Sequence, residues 1–212
     1  MTTIYLIRHA MSNGNDGGFY CGQRDIPLSC EGYAQLDFLA ARFAKIRLDR
    51  VYSSPLMRAC ETAKAVGRSQ RLDITLRYDL MELDAGDFQG RTFDEIDRIY
   101  HEEFERYKND PGSFCAPEGE SAAQLRERST RAMRRIVEEN PGGVVAVVSH
   151  GDFIRSYTGA ALGLPLCELK KVDHSHNTGV MRVDYDEKLS LRVVFCDDCS
   201  HNPALKDKEV LL

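Results

Sequence analysis

An apolar run, Ile4-Tyr5-Leu6-Ile7, stops abruptly at Arg8-His9, and a second, Val144-Val145-Ala146-Val147-Val148, stops at Ser149-His150-Gly151-Asp152. Such runs read as buried strands, and the polar rim beyond a strand's carboxyl end is where an α/β protein keeps its chemistry. Either histidine alone reads more readily as a hydrogen-bonded loop residue than as a catalyst. Two of them at two strand ends point to imidazoles meeting at one anion site. Val51-Tyr52-Ser53-Ser54-Pro55 followed by Leu56-Met57-Arg58-Ala59 reads as strand, turn and helix, with Pro55 near the helix start. Arg58 then falls in that helix's first turns, near a third strand end. By itself it would be an ordinary solvated cation.

Further short motifs follow in order. Arg8-His9-Ala10 precedes Asn15, Gly22-Gln23-Arg24-Asp25-Ile26-Pro27-Leu28 runs on to Gly32, and Ser53-Ser54-Pro55-Leu56-Met57-Arg58-Ala59 leads to Thr62-Ala63. Glu82 is followed by Gly86, Phe88 and Gly90, then by Pro117-Glu118-Gly119-Glu120-Ser121 and Ser149-His150-Gly151. Each motif is weak alone. The ordered set, from Thr3 to about Val194, resembles the histidine phosphatase superfamily in its phosphoglycerate-mutase-like branch. The resemblance implies that His9, Glu82 and His150 are catalytic, that Arg8, Asn15, Gly22, Arg58 and Gly151 bind substrate, and that no metal or cofactor takes part. Three positions depart from the family pattern: Ala10 replaces the usual Gly, Ser12 stands where Thr is common, and Cys21 occupies a position where mutases place Thr.

The residue types suit phosphoryl transfer, in which catalysis is mostly positioning and charge stabilisation. Arg8 and Arg58 each offer a planar fork of donors that Lys does not reproduce. A neutral His9 can attack phosphorus and form a phosphohistidine, splitting one hard step into two. His150, with some cationic character beside a bound phosphate, and the Asn15 amide would add donors. Glu82, placed by the resemblance at the leaving oxygen, would protonate it and later take a proton from water. That role wants a pKa raised by partial burial. Read alone, Glu82 is a surface carboxylate after Met81.

Composition narrows the classes. The chain has 212 residues, enough for one domain with a substantial core, and 42% hydrophobic with 29% charged residues indicates a globular protein. No Gly-x-x-x-x-Gly-Lys-Ser/Thr loop is present, which argues against a nucleoside triphosphatase. A net charge of −5 disfavours nonspecific nucleic-acid binding, so the partner expected is a small phosphorylated substrate in a local positive pocket. No apolar run approaches a membrane span and no signal-peptide pattern opens the sequence. With seven cysteines, an odd number, a reducing cytoplasm is expected rather than a disulfide framework. Cys196-Asp197-Asp198-Cys199 with His201 lacks an evident second ligand pair and reads as incidental, and His174-Ser175-His176 reads as a loop. Asp197-Asp198 and Asp184-x-Asp186 read as solvated turns. Oligomeric state is not legible.

The elements that must position these residues alternate. Strands are expected at Thr3–Ile7, Arg50–Ser53, Asp73–Leu76, Val144–Val148, Gly179–Tyr185 and Ser190–Cys196, and helices at Cys30–Lys45, Leu56–Ser69, Thr92–Tyr107, Ser121–Asn140 and Phe153–Leu162. The fold class is therefore α/β: a single three-layer α/β/α domain over 1–212, with a mostly parallel sheet. A small helical cap insertion, about 77–120, interrupts the alternation over the site, and 197–212 is a candidate flexible tail. Glu82 followed by Leu83-Asp84-Ala85-Gly86 lacks the Arg-x-Tyr-Gly stretch of cofactor-dependent mutases, and the cap cations Arg91, Arg98, Arg106 and Lys108 suit either branch. A metal-independent phosphomonoester hydrolase is the favoured function. The alternatives are a bisphosphoglycerate-dependent phosphoglycerate mutase and a catalytically silent phospholigand binder.

Overall fold

A computed structural model describes residues 1–205. Its centre is a six-stranded sheet of order β3-β2-β4-β1-β5-β6, made of β1 (Thr2–Arg8), β2 (Arg50–Ser53), β3 (Ile74–Leu76), β4 (Val144–Ser149), β5 (Val180–Tyr185) and β6 (Leu191–Asp198). β1, β2, β3 and β4 pair in parallel, whereas β5 runs antiparallel to both β1 and β6. Both faces are covered, which is why the strands read as unbroken apolar runs. Alternation along β1 splits the core. Ile4 and Leu6 pack towards α6 (Ala122–Glu139) and α7 (Gly151–Ala161), while Tyr5 and Ile7 pack towards α2 (Cys30–Phe43) and α3 (Met57–Gly67). In α6, Leu125, Ser129, Ala132, Met133, Ile136 and Val137 form the buried stripe expected of an amphipathic helix.

The expected helix over 92–107 is broken in two, α4 (Phe93–Ile99) and α5 (His101–Asn109), at Tyr100 with φ −129° and ψ 47°. Tertiary contacts account for the break: the Tyr100 hydroxyl donates to Asp87 at 2.9 Å and its ring lies 5.8 Å from that of Phe88. Thr92 caps α4 in a reciprocal pair with Glu95. Beneath these helices Tyr20, Phe88, Phe104, Tyr107 and Phe114 form an aromatic layer continuous with the core. A short α1 (Asn13–Gly17), absent from the sequence reading, follows Ser12, whose backbone and side chain exchange hydrogen bonds with Asn15.

Two expectations are corrected. Asp184 is not a solvated turn residue. It is 2% exposed in β5, where Thr3, Arg182 and Arg192 donate to its carboxylate. Asp197 and Asp198 end β6, and Arg42 binds Asp198 at 2.8 Å and also reaches the His201 ring. Of the expected tail, 206–212 lie outside the described residues.

Candidate active site

Register decides the site. Arg8 pairs with Ser149, so β1 and β4 end level and His9 and His150 leave the sheet side by side, with ring centroids 5.1 Å apart. The His9 amide donates to the Ser149 carbonyl, locking the two exits together. β2 ends level with them as well, because the Ser54 amide donates to Val148, and this sets the Ser54 hydroxyl 2.8 Å from His150 Nε2.

His9 is 3% exposed. Its Nδ1 lies 2.7 Å from the Ala10 carbonyl, and its Nε2 lies 3.2 Å from Arg58 Nε. A carbonyl only accepts and a guanidinium only donates, so the ring carries its proton on Nδ1 and a lone pair on Nε2. Burial, then Arg58, then Arg8 hold its pKa well below the ordinary 6.5. Burial and then Arg58 hold the His150 pKa well below 6.5 too, so with no anion bound the ring is neutral. Its Nδ1 is buried without a hydrogen-bond partner among the described residues.

Arg58 is 1% exposed. Its two remaining nitrogens donate to the Arg24 carbonyl at 2.8 Å and the Gly22 carbonyl at 2.7 Å, so the turn that carries Gly22 orients the guanidinium. Gly22 itself sits at φ +50° with Gln89 where a side chain would go. Arg8 is anchored to the Ser175 carbonyl through Nη1, and its Nε is buried without a partner among the described residues. Asn15 is exposed; its Oδ1 is taken by Ser12, leaving the amide nitrogen as the available donor. Ala10 holds no left-handed backbone, so the usual glycine is dispensable there.

Glu82 is 8% exposed and lies across the start of α7. Its carboxylate accepts from the amides of Leu83 at 2.9 Å, Asp152 at 3.2 Å and Phe153 at 3.1 Å. Those donors and the helix N-terminus favour the anion, yet burial and then the Asp152 carboxylate raise its pKa above 4.5. Asp152 shifts the other way: burial opposes ionisation, but His174, Tyr20 and Arg155 outweigh it. Of the two adjacent carboxyl groups, Asp152 therefore ionises first, and its charge helps to keep a proton on Glu82. Arg128 in α6 donates to the carbonyls of Asp79, Met81 and Glu82 and binds Glu120, fixing the loop segment that carries Glu82.

These groups line a cleft of about 120 Å³. Arg8, His9, Asn15, Gly22, Arg58, Glu82 and Gly151 all reach its wall, and His150 lies buried behind His9. The sequence reading missed Tyr20, Tyr107, Asp152 and His174. Tyr20 donates to Asp152, and His174 Nε2 lies 2.9 Å from the same carboxylate. Asp152 had a signal, being an acid in the first turn of a helix after Ser149-His150-Gly151. The tyrosines had none beyond aromatic bulk. The His174–His176 stretch is the loop expected, though His174 faces the cleft. Arg91, Arg98, Arg106 and Lys108 do not line it.

A cleft at the carboxyl ends of central strands that combines a neutral imidazole, two guanidinium groups and a protonatable carboxyl has the chemistry of phosphoryl transfer on an α/β sheet. The chain belongs to the histidine phosphatase superfamily (branch 1), whose profile matches residues 4–197. It is 32% identical over 166 residues to phosphoserine phosphatase 1 of Hydrogenobacter thermophilus, spanning 78% of this chain and 79% of that protein. It is also 30% identical over 213 residues to the probable phosphoglycerate mutase GpmB of Citrobacter koseri, spanning 98% of this chain and 99% of that one. Among solved structures, Bacillus stearothermophilus YhfR matches with a TM-score of 0.91 at 28% identity, covering 95% of this chain and 99% of its own.

Proposed function

We propose that this protein hydrolyses phosphomonoesters of small metabolites through a phosphohistidine on His9, without a metal in the reaction. The observation that carries the reading is the state of His9: buried, neutral, its Nδ1 proton engaged by Ala10 and its Nε2 lone pair beside Arg58. In this scheme Arg8, Arg58, the Asn15 amide and the α7 N-terminus at Gly151 hold the phosphoryl oxygens. The unpartnered His150 Nδ1 supplies a further donor. Nε2 attacks phosphorus as the P–O bond to the alcohol breaks, and Glu82 gives its proton to the departing oxygen. Glu82 then takes a proton from water, whose oxygen displaces His9 from phosphorus and releases phosphate.

Hydrolysis is favoured over mutation by what lies beyond the phosphate. Phe19, Tyr20, Phe93, Tyr107, Asp152 and His174 form that wall, and among the described residues no lysine or third arginine joins it. A mutase must hold a monoester with a second anionic group while it turns round. The phosphoserine phosphatase relative agrees with a small phosphorylated metabolite as substrate, handled by the residues of the 77–120 cap. We place the protein in the cytoplasm, since all seven cysteines are free thiols, and its net charge of −5 leaves nucleic acid an unsuitable partner.

The test runs phosphate release and mutase activity in parallel with chelator present, on an aryl phosphate, phosphoserine and bisphosphate-primed 3-phosphoglycerate. Phosphate release without isomerisation, with His9→Ala inactive but folded, is the expected result. Rapid isomerisation with little release would overturn it in favour of a mutase. Phosphate binding with neither activity and no labelled His9 would leave a silent binder.

A further inference from the structure

Two motifs that the catalytic scheme leaves unused come together on the far side of the loop 172–179. His176 comes from the His-x-His stretch, and Asp197 and Cys199 come from the Cys-x-x-Cys at the end of β6. Their ligand atoms all lie within 4.8 Å of one another. His176 Nδ1 is 2.6 Å from Asp197 Oδ2, and Cys199 Sγ is 3.8 Å from Asp197 Oδ1. From this geometry we propose that His176, Asp197 and Cys199 form a binding site for a thiophilic divalent cation, zinc by the chemistry of its donors.

Imidazole, carboxylate and thiolate together select a borderline-soft ion over magnesium or calcium, whose ligands are oxygens. Three protein ligands with one open position is a familiar zinc arrangement, the fourth place going to water or a small anion. Here His176 and Asp197 line a cavity of about 300 Å³, which gives the ion an entry path and room for that fourth ligand. Gly179 keeps the carboxylate in place, since a Cβ there would come within 2.0 Å of Asp197 Oδ1. On binding, the S–H bond of Cys199 breaks and its proton goes to solvent while a zinc–sulfur bond replaces it; the Nδ1 proton that His176 shares with Asp197 transfers through solvent to Nε2, and the freed Nδ1 lone pair and the carboxylate bind the ion. No oxidant or reductant is needed.

The site is wired to the cleft by one short loop. Ser175 holds Arg8, the Asn177 amide donates to the His9 carbonyl at 3.0 Å, and His174 holds Asp152, while His176 between them would hold the ion. Occupancy would brace the segment that orients Arg8 and His9 at the end of β1 and Asp152 beyond the end of β4.

Cobalt titration of the full chain tests this. Wild type should bind about one ion per chain with a near-ultraviolet thiolate-to-cobalt charge-transfer band, displaced by zinc. Cys199→Ser should lose the band. His176→Gln, at a side chain only one-third exposed and outside the core, should weaken binding at least about tenfold, the loss that even an outer ligand's partner brings. His9→Ala and His101→Ala should keep both band and affinity. Absence of the band in wild type would overturn the proposal, as would binding that persists unchanged in His176→Gln. Loss with His9→Ala or with His101→Ala would move the ion to the catalytic cleft or to the exposed Asp97–His101–Glu105 cluster, and so would also overturn it.

Discussion

At the scale of single residues, Glu82 and Asp152 are the informative pair. In the proposed scheme Glu82, its pKa raised, is the proton donor, so Glu82→Gln should slow hydrolysis of an alkyl phosphate by about 10²–10⁴ and of an aryl phosphate far less, because a phenolate leaves without help. Equal losses on both substrates, measured as kcat/KM, would remove Glu82 as the acid. Its proton must be present in the first step, so activity falls on the alkaline side as Glu82 ionises. Asp152 is a positioning residue here, second to burial in holding that proton on. Asp152→Asn removes a negative neighbour, lowers the Glu82 pKa, and should move the alkaline limb of the kcat/KM profile to lower pH. A limb that stays in place would show that burial alone sets it.

At the scale of elements, α6 and α7 act as tools and not only as packing. α7 presents its first amides to the Glu82 carboxylate, with Gly151 against the Arg8 guanidinium. A Cβ at Gly151 would sit in ordinary contact with Arg8 Cζ at 3.5 Å, which places the guanidinium beside the start of the helix. α6 contributes Arg128, whose nitrogens gather three carbonyls and Glu120 at once. Arg128→Ala should lower stability by about 2–3 kcal/mol, the scale of losing hydrogen bonds to a charged group. Because the freed loop segment carries Glu82, kcat for an alkyl phosphate should fall more than kcat for an aryl phosphate. Arg128→Lys should restore part of the stability but not the three-way hold. Urea midpoints and the substrate ratio together check this; unchanged substrate preference would limit Arg128 to a structural part.

At the scale of the whole molecule, the site weakens the fold in acid. His9 and His150 have folded pKa values below 6.5, so the unfolded chain binds more protons as pH drops. Their contribution is complete above 6.5 and is lost as pH falls below it, by up to about 2 kcal/mol for each between pH 6.5 and 5. Glu82 has the opposite sign, contributing below its ordinary 4.5 and losing that as pH rises through its raised folded value. Asp152, held low, adds stability above 3.8 that is lost only as pH falls further. Urea unfolding at pH 7 and pH 5 should therefore show a lower midpoint in acid, with the slope reduced in His9→Gln. An undiminished slope would mean that His9 is not held neutral by the fold.

The strands, the two-sided burial and the buried stripe of α6 were all legible in the sequence, because apolar periodicity and turn chemistry are local. So was the roster of His9, Arg58, Glu82, His150 and their companions, through ordered motifs. What distance does was not legible. Tyr100 breaks a helix that local pattern would continue, because its hydroxyl and ring find Asp87 and Phe88. Asp184 looked like a turn residue until three strands supplied its donors. His174, Tyr20 and Tyr107 converge on Asp152 from three separate segments, and His176 meets Cys199 only because β6 returns beside the loop that follows α7. The protonation states of His9 and Glu82 belong with these. Residue type sets an ordinary pKa, but burial and neighbouring charge move it, and both arise only when the chain has closed around the site.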